Sequence, residues 1–315
     1  MVQPLDGIKV LEMTVAIQGP AAGLFLADMG ADVIKVEPPI GDSNRYHRGN
    51  DYDVPEGALG SQFIAMNRGK RSLPIDVHHP LGHKAIQNLL AGTDVFLSNY
   101  REDALLRMGL DYESVHASHP QLVYATVNGF GLEGPDANKA MLDGVAQARG
   151  GIIAMTGDVG GKPMMSGAPI ADTAGAMQLA LATMTALFAR ERLGVGQRVH
   201  TSALGAQLWL QMWELQHRAI NDAELLPAGQ FHDNMRGPYG LYATSDGGWI
   251  MFAACLVNEA WDALCVFGNQ PELALDPEWA SPGQRLGAHG PTLKEAETVR
   301  EKMKALFGSK STDQW

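Results

Sequence analysis

Apolar positions along the chain fall into two alternating spacings. Ile8-Lys-Val-Leu-Glu-Met-Thr-Val15 is rich in strand formers and runs to Gly19-Pro20. Ala21 to Met29 then takes the helical spacing with Pro20 at its first position, and Ala31-Asp-Val-Ile-Lys-Val-Glu37 is a second strand stopped by Pro38-Pro39. Strand, helix and strand within about thirty residues make one βαβ unit. The pattern repeats with a strand at Arg71 to Asp76, a helix at Pro80 to Ala91 and a strand at Asp94 to Asn99. Leu105 to His116 is largely helical and Leu122 to Phe130 is a strongly apolar strand. Such alternation predicts an α/β fold, a Rossmann-like parallel sheet with helices on both faces.

Glycine and proline crowd the stretch from Gly131 to Gly167, which reads as loop with a short helix around Leu142 to Ala148. A helix from about Thr173 to Arg192, a strand from Gln197 to Ser202 and a helix from Leu204 to Ile220 complete a large domain over residues 1–220. Residues 221–236 are polar and rich in turn formers, as in a linker. Residues 237–315 form a smaller α+β domain: Ser245-Asp-Gly-Gly248 is a hairpin turn between apolar runs, and Glu259 to Phe267 and Thr292 to Phe307 are helical. Ser311-Thr-Asp-Gln-Trp315 reads as the opening of another amphipathic helix, so a chain truncated at its carboxyl end is expected.

Composition narrows the function. The 315 residues are 45% hydrophobic and 19% charged, ordinary for a folded globular protein, and the net charge of −11 argues against nucleic acid or an anionic membrane as the main partner. Cys255 and Cys265 suit neither a disulfide framework nor a zinc site. No metal is expected, and a reducing cytoplasm is the expected compartment. Met1-Val-Gln-Pro-Leu-Asp-Gly lacks the features of a signal peptide, and the uncharged stretch from Thr173 to Ala189 is too short and too polar for a membrane span.

The candidate chemistry is ambiguous residue by residue. Gly19-Pro-Ala-Ala-Gly23 is G-x-x-x-G, which lacks the dinucleotide fingerprint even though Glu37 ends the second strand. Asn67-Arg-Gly-Lys-Arg71 gathers three cations just before a strand, either a solvated surface or a clamp for a phosphate-bearing ligand. Asp172 stands before a helical run and reads most simply as its N-cap; a carboxylate placed there can also attack an activated acyl group, with neighbouring backbone N–H groups holding the oxyanion. Asp143 has the same two readings, cap or site carboxylate. No G-x-S-x-G and no H-x-x-x-H supports serine or metal hydrolysis.

Taken jointly, the motifs resemble the class III CoA-transferases. The resemblance is carried by Leu5-Asp-Gly-Ile-Lys-Val-Leu, Gly19-Pro20, Leu26-Ala-Asp-Met-Gly-Ala-Asp-Val-Ile-Lys-Val-Glu37-Pro-Pro39, Asn67-Arg-Gly-Lys-Arg-Ser72, Arg107-Met-Gly109, Asn128-Gly-Phe-Gly131, Ala171-Asp172 and Gly194-Val-Gly-Gln-Arg198. It implies that Asp172 is the nucleophile, passing through aspartyl anhydride and aspartyl-CoA thioester intermediates. It places coenzyme A against Ile17, Gln18, Ile75, Asp76, His78, Asn99, Tyr100, Arg101, Arg107 and Asp143. Basic residues that the family uses fall on Pro38 and Ala140, so Lys70, Arg71 and Arg101 become candidates to replace them at the CoA phosphates.

The implied substrates are an acyl-CoA and a small carboxylic acid, with no tightly bound cofactor, and the implied assembly is an interlocked homodimer. The α-methylacyl-CoA racemases resemble the chain on the same grounds, but their proton-transferring histidine falls on Leu142, which can act neither as acid nor as base. A dinucleotide oxidoreductase and a non-catalytic CoA-binding protein complete the alternatives.

Overall fold

A computed structural model describes residues 2–47, 57–222, 224–232, 234–286 and 293–315. Contacts divide the chain into two compact units: residues 1–151 with 166–212, and residues 152–165 with 213–315. This boundary differs from the one expected at residue 220. The expected linker at 221–236 carries β-structure, and part of the glycine-rich loop joins the second unit.

The first unit is built on six parallel strands, β1 (Lys9–Met13), β2 (Asp32–Glu37), β3 (Arg71–Pro74), β4 (Val95–Ser98), β5 (Val123–Asn128) and β6 (Arg198–Ser202), in the order β3-β2-β1-β4-β5-β6. The order runs one way from β1 to β3 and the other way from β4 to β6. A crevice therefore opens between the carboxyl ends of β1 and β4, where open α/β sheets bind ligands. The crossovers are α1 (Gln18–Asp28), α2 (Ser61–Asn67), α3 (Pro80–Leu90), α4 (Glu102–Arg107), α5 (Tyr112–Ser118), α6 (Asp143–Gly150) and α7 (Ile170–Leu193), and α8 (Ala203–Leu210) follows β6.

One face of the sheet packs α1 and α7 through Val10, Leu26, Val95, Leu97, Val127, Leu179 and Leu187; the other packs Leu11, Ile86, Phe96, Leu105 and Tyr124. Each large apolar side chain so buried contributes about 1.5–3 kcal/mol. Because both faces are covered, β1, β4 and β5 read as nearly continuous apolar runs.

Several elements differ from the sequence reading. Helix α1 begins two residues before Pro20, at Gln18. The segment expected as one helix at 105–116 is two, broken where Gly109 takes a left-handed φ of 62°. The helix expected at 204–220 is likewise two, α8 and α9 (Met212–Asn221). Helix α7 begins at Ile170, three residues early, so Asp172 lies within its first turn and is not its N-cap.

The second unit carries a small antiparallel sheet, β7 (Phe231–His232), β8 (Met235–Ala243) and β9 (Trp249–Phe252), with α10 (Asn258–Phe267), α11 (Pro271–Leu275), α12 (Pro282–Leu286) and α13 (Leu293–Phe307). The β8–β9 hairpin turns where expected, with Ala243 opposite Trp249. Tyr242, Phe252, Trp261 and Phe307 fill its core. Residues 311–315 form a turn instead of a helix, with Trp315 Nε1 donating to the carbonyl of Phe307 at 2.9 Å and its ring packing on Phe307.

Candidate active site

The loop after β1 reaches the switch point and is tied there to the loop after β4. The Val15 N–H donates to Asn99 Oδ1 at 2.9 Å, and Asn99 Nδ2 donates to the Val15 carbonyl at 2.8 Å. Ala16 takes a φ of 64°, left-handed and uncommon for a residue with a β-carbon. Gln18 follows, buried at 7% exposure, with no hydrogen-bond partner for its Nε2. Its amide passes over Gly175 of α7, where a β-carbon would meet Gln18 Nε2. Gly175 lies one turn beyond Asp172 on the same helix.

A cleft of about 160 Å³ opens here, lined by Ala16, Gln18, Asn99, Arg101, Asn128, Lys139, Leu142 and Asp172 among others. Asp143 supports it from α6. Its Oδ1 accepts the N–H groups of Ala171 at 2.8 Å and of Asp172 at 3.2 Å, and its Oδ2 accepts Gln147 Nε2 at 2.5 Å. Gln147 is fully buried, and its Oε1 receives the Ser166 N–H at 3.0 Å. Asp143 thereby caps α7 from another segment, in favourable contact with the positive end of the helix dipole.

Burial first, and the Asp143 charge second, push the Asp172 carboxyl up to about 6. The carboxylate is therefore ionised near neutral pH and poorly solvated, which suits an attack on an activated carbonyl. The oxyanion donors expected from the helix start are engaged elsewhere: Ile170 N–H goes to Ala168, Thr173 N–H to Pro169, and those of Ala171 and Asp172 to Asp143. Among the described residues, the buried side-chain donor left without a partner at this cleft is Gln18 Nε2.

The remaining candidates are spread more widely. Ile75, Asp76, His78, Tyr100 and Arg107 line a second cleft of about 340 Å³ at the carboxyl ends of β2, β3 and β4, together with Glu37 and Pro38. Ile17 lines neither cleft; its carbonyl accepts the Ala21 N–H as α1 begins. The basic cluster comes apart. Arg68 pairs with Asp28 and Arg71 with Asp32 at the surface, while Lys70 points inward to Glu12 at 2.8 Å. Neither Lys70 nor Arg71 lines these clefts. A signal for this was present: Glu12 and Lys35 each stand inside an apolar strand run, where an unpaired charge is too costly to keep. Cys255 and Cys265 are buried free thiols, and no cluster of metal-ligating side chains occurs among the described residues. Among them, too, no helix is long and apolar enough to cross a membrane.

Comparison with known proteins gives a consistent result. The model for CoA-transferase family III matches residues 5–315. A succinate–glutarate CoA-transferase of Agrobacterium fabrum is 35% identical over 247 residues, 78% of this chain and 62% of that protein. A formyl-CoA:oxalate CoA-transferase of Streptomyces avermitilis is 32% identical over 299 residues, 91% of this chain and 72% of that one. The chain thus spans under two thirds of the first relative's length. The crystal structure of a CAIB/BAIF family protein from Brucella suis superposes with a TM-score of 0.82 at 32% identity, covering 100% of this chain and 79% of that one.

Proposed function

Since the chain belongs to CoA-transferase family III, we propose that it moves coenzyme A from an acyl-CoA to a carboxylic acid, with Asp172 as the covalent relay. The Asp172 carboxylate attacks the donor thioester carbonyl and expels CoA thiolate, leaving a mixed anhydride. The thiolate attacks the aspartyl carbonyl, releases the donor acid and forms an aspartyl-CoA thioester. The acceptor carboxylate attacks that thioester and expels the thiolate again. The thiolate then attacks the acceptor's acyl carbon, freeing Asp172 and the new acyl-CoA.

The observation that carries this reading is Asp172 itself, raised to about 6 in a cleft it shares with the unpartnered amide of Gln18. Gln18 Nε2 is the donor we assign to the developing oxyanion, a role for which fixed dipoles serve well. Asp143 holds the helix start and is a positioning residue. We assign the 340 Å³ cleft, with Arg107 and His78, to the distal part of CoA, and Arg101 to the acid. A dicarboxylic acceptor is supported by the relatives named for glutarate and oxalate. Leu142 supplies no proton at the cleft, which disfavours racemisation.

A homodimer is supported by a broad apolar groove of about 720 Å³ in the first unit, formed by Met177, Leu181, Trp209 and Leu210. The buried thiols agree with a reducing compartment such as the cytoplasm.

The test is to incubate the protein with succinyl-CoA and other short acyl-CoAs, quench with hydroxylamine, and map the product by peptide mass spectrometry. Modification confined to Asp172, and lost in Asp172→Ala, is expected. Transfer activity that survives Asp172→Ala would sink the assignment.

A further inference from the structure

The loop that leads into Gln18, and the first turn of α1 that Gln18 opens, are held by side chains that no step of the reaction uses. Lys35 Nζ donates to the Thr14 carbonyl at 2.8 Å, Asn44 Nδ2 to the Ala16 carbonyl at 3.0 Å, and Lys70 Nζ to the Pro20 carbonyl at 2.7 Å. With Asn99 on Val15, each carbonyl from Thr14 to Ala16 is taken by a side chain from elsewhere in the same unit. The two ammonium groups are balanced by buried carboxylates: Glu12 lies 2.8 Å from Lys70 and 3.5 Å from Lys35, and Asp42 lies 3.0 Å from Lys35. Asp42 in turn accepts the Asn44 N–H at 2.9 Å, so the ion cluster and the amide brace are one network.

A buried cluster of this kind is weak evidence for stability, because apolar packing of equal volume serves as well. What it supplies here is directional donors aimed at backbone oxygens. The loop needs them, since Ala16 is held at a left-handed φ that a free loop would leave.

We propose that Lys35, Asn44 and Lys70 are positioning residues for the reaction: they fix the β1–α1 loop so that the Gln18 amide stays over Gly175 and faces the Asp172 cleft. The lysine of the Asn67-Arg-Gly-Lys motif thus serves the active-site loop from inside, through a backbone carbonyl and not through a ligand phosphate. This inference rests on the transferase reading, in which Gln18 receives the oxyanion.

Lys35→Gln and Asn44→Ala test it. The first strips a buried charge and can fail to fold; the second removes only an amide from a half-buried side chain. Expected for Asn44→Ala is a kcat lower by about 10–100-fold, the cost of a misplaced catalytic group, with KM for acyl-CoA within threefold of wild type. In the Gln18→Ala background the same substitution is expected to lower kcat no further, because the group it positions is gone. Equal losses in both backgrounds, or an unchanged kcat, would overturn the proposal. Backbone amide exchange over residues 14–20 supplies a readout independent of turnover: faster exchange in both variants is expected, and unchanged protection refutes the brace. If wild-type protein itself forms no Asp172 adduct, the transferase reading falls, while the exchange data still decide whether these side chains hold the loop.

Discussion

Asp143 and Asp172 belong to different helices and are joined by a single oxygen: Asp143 Oδ1 accepts the backbone N–H of Asp172 at 3.2 Å while its charge opposes ionisation of the Asp172 side chain. One carboxylate thus both builds the helix start and raises the affinity of its neighbour for a proton. In Asp143→Asn the amide oxygen can still accept, but the negative charge is gone and an NH2 group faces Gln147. The pH midpoint for adduct formation at Asp172 is expected to fall from about 6 part of the way towards the ordinary carboxyl value, since burial is the larger cause of the elevation. Stability is expected to drop by about 1 kcal/mol, in keeping with a weakened cap. Adduct yield against pH, with denaturant melts alongside, checks both.

Asp172 should cost the folded state at neutral pH. Its carboxyl binds a proton more tightly when folded, at about 6, than at the ordinary 3.8, so the penalty is absent below pH 3.8 and grows as pH rises to 6. Asp172→Asn is therefore expected to be more stable than wild type by roughly 1–3 kcal/mol at pH 8 and indistinguishable from it near pH 3.5. Urea midpoints at the two pH values measure this; a gain of equal size at both would show that charge is not the cause.

Gly175→Ala places a methyl group where Gln18 Nε2 lies. The obstacle is the end of a flexible side chain, so the protein is expected to fold and the amide to be displaced from the cleft. Turnover should fall by about 10–100-fold, comparable with loss of one oxyanion donor, while KM for acyl-CoA changes little. A variant of full activity would remove Gln18 from the mechanism.

Two of the three arginines expected at CoA differ in commitment. Arg71 makes a two-pronged contact with Asp32, with Nε at 2.8 Å and Nη2 at 2.5 Å, whereas Arg107 lines the larger cleft with Asp103 only at 3.9 Å. Arg107→Ala is expected to raise KM for acyl-CoA by about tenfold, the worth of one charge-assisted contact, and Arg71→Ala to leave it within twofold. The salt dependence of KM should shrink in the first variant alone.

The strands were legible because a parallel sheet covered on both faces leaves its mark as apolar runs, of which Val123 to Val127 is the clearest. Helix α2 was not anticipated: seven residues with Phe63 as the one buried large side chain carry too little periodicity to stand out. Asp172 could be picked out as a site carboxylate, but the identity of its cap could not. Asp143 precedes it by 29 residues across a loop, and local spacing has no term for such a pairing. The basic run from Arg68 to Arg71 left two readings open for a related reason. Net charge per residue is local, whereas the partners of these cations, Asp28, Glu12 and Asp32, arrive from earlier strands and helices. Charges embedded in the apolar strands β1 and β2 were the sign that some of those cations turn inward.

The bracing of the β1–α1 loop also has a temporal side. The side chains that hold the carbonyls of this loop and of the first turn of α1, Lys35, Asn44, Lys70 and Asn99, are drawn from the first hundred residues, while Asp172 rides on a later helix that closes one face of the sheet over α1. During synthesis from the amino terminus, the oriented loop can be assembled before Asp172 leaves the ribosome. The nascent chain then receives Asp172, the nucleophile proposed above, after the loop it faces, into surroundings already set to restrain it.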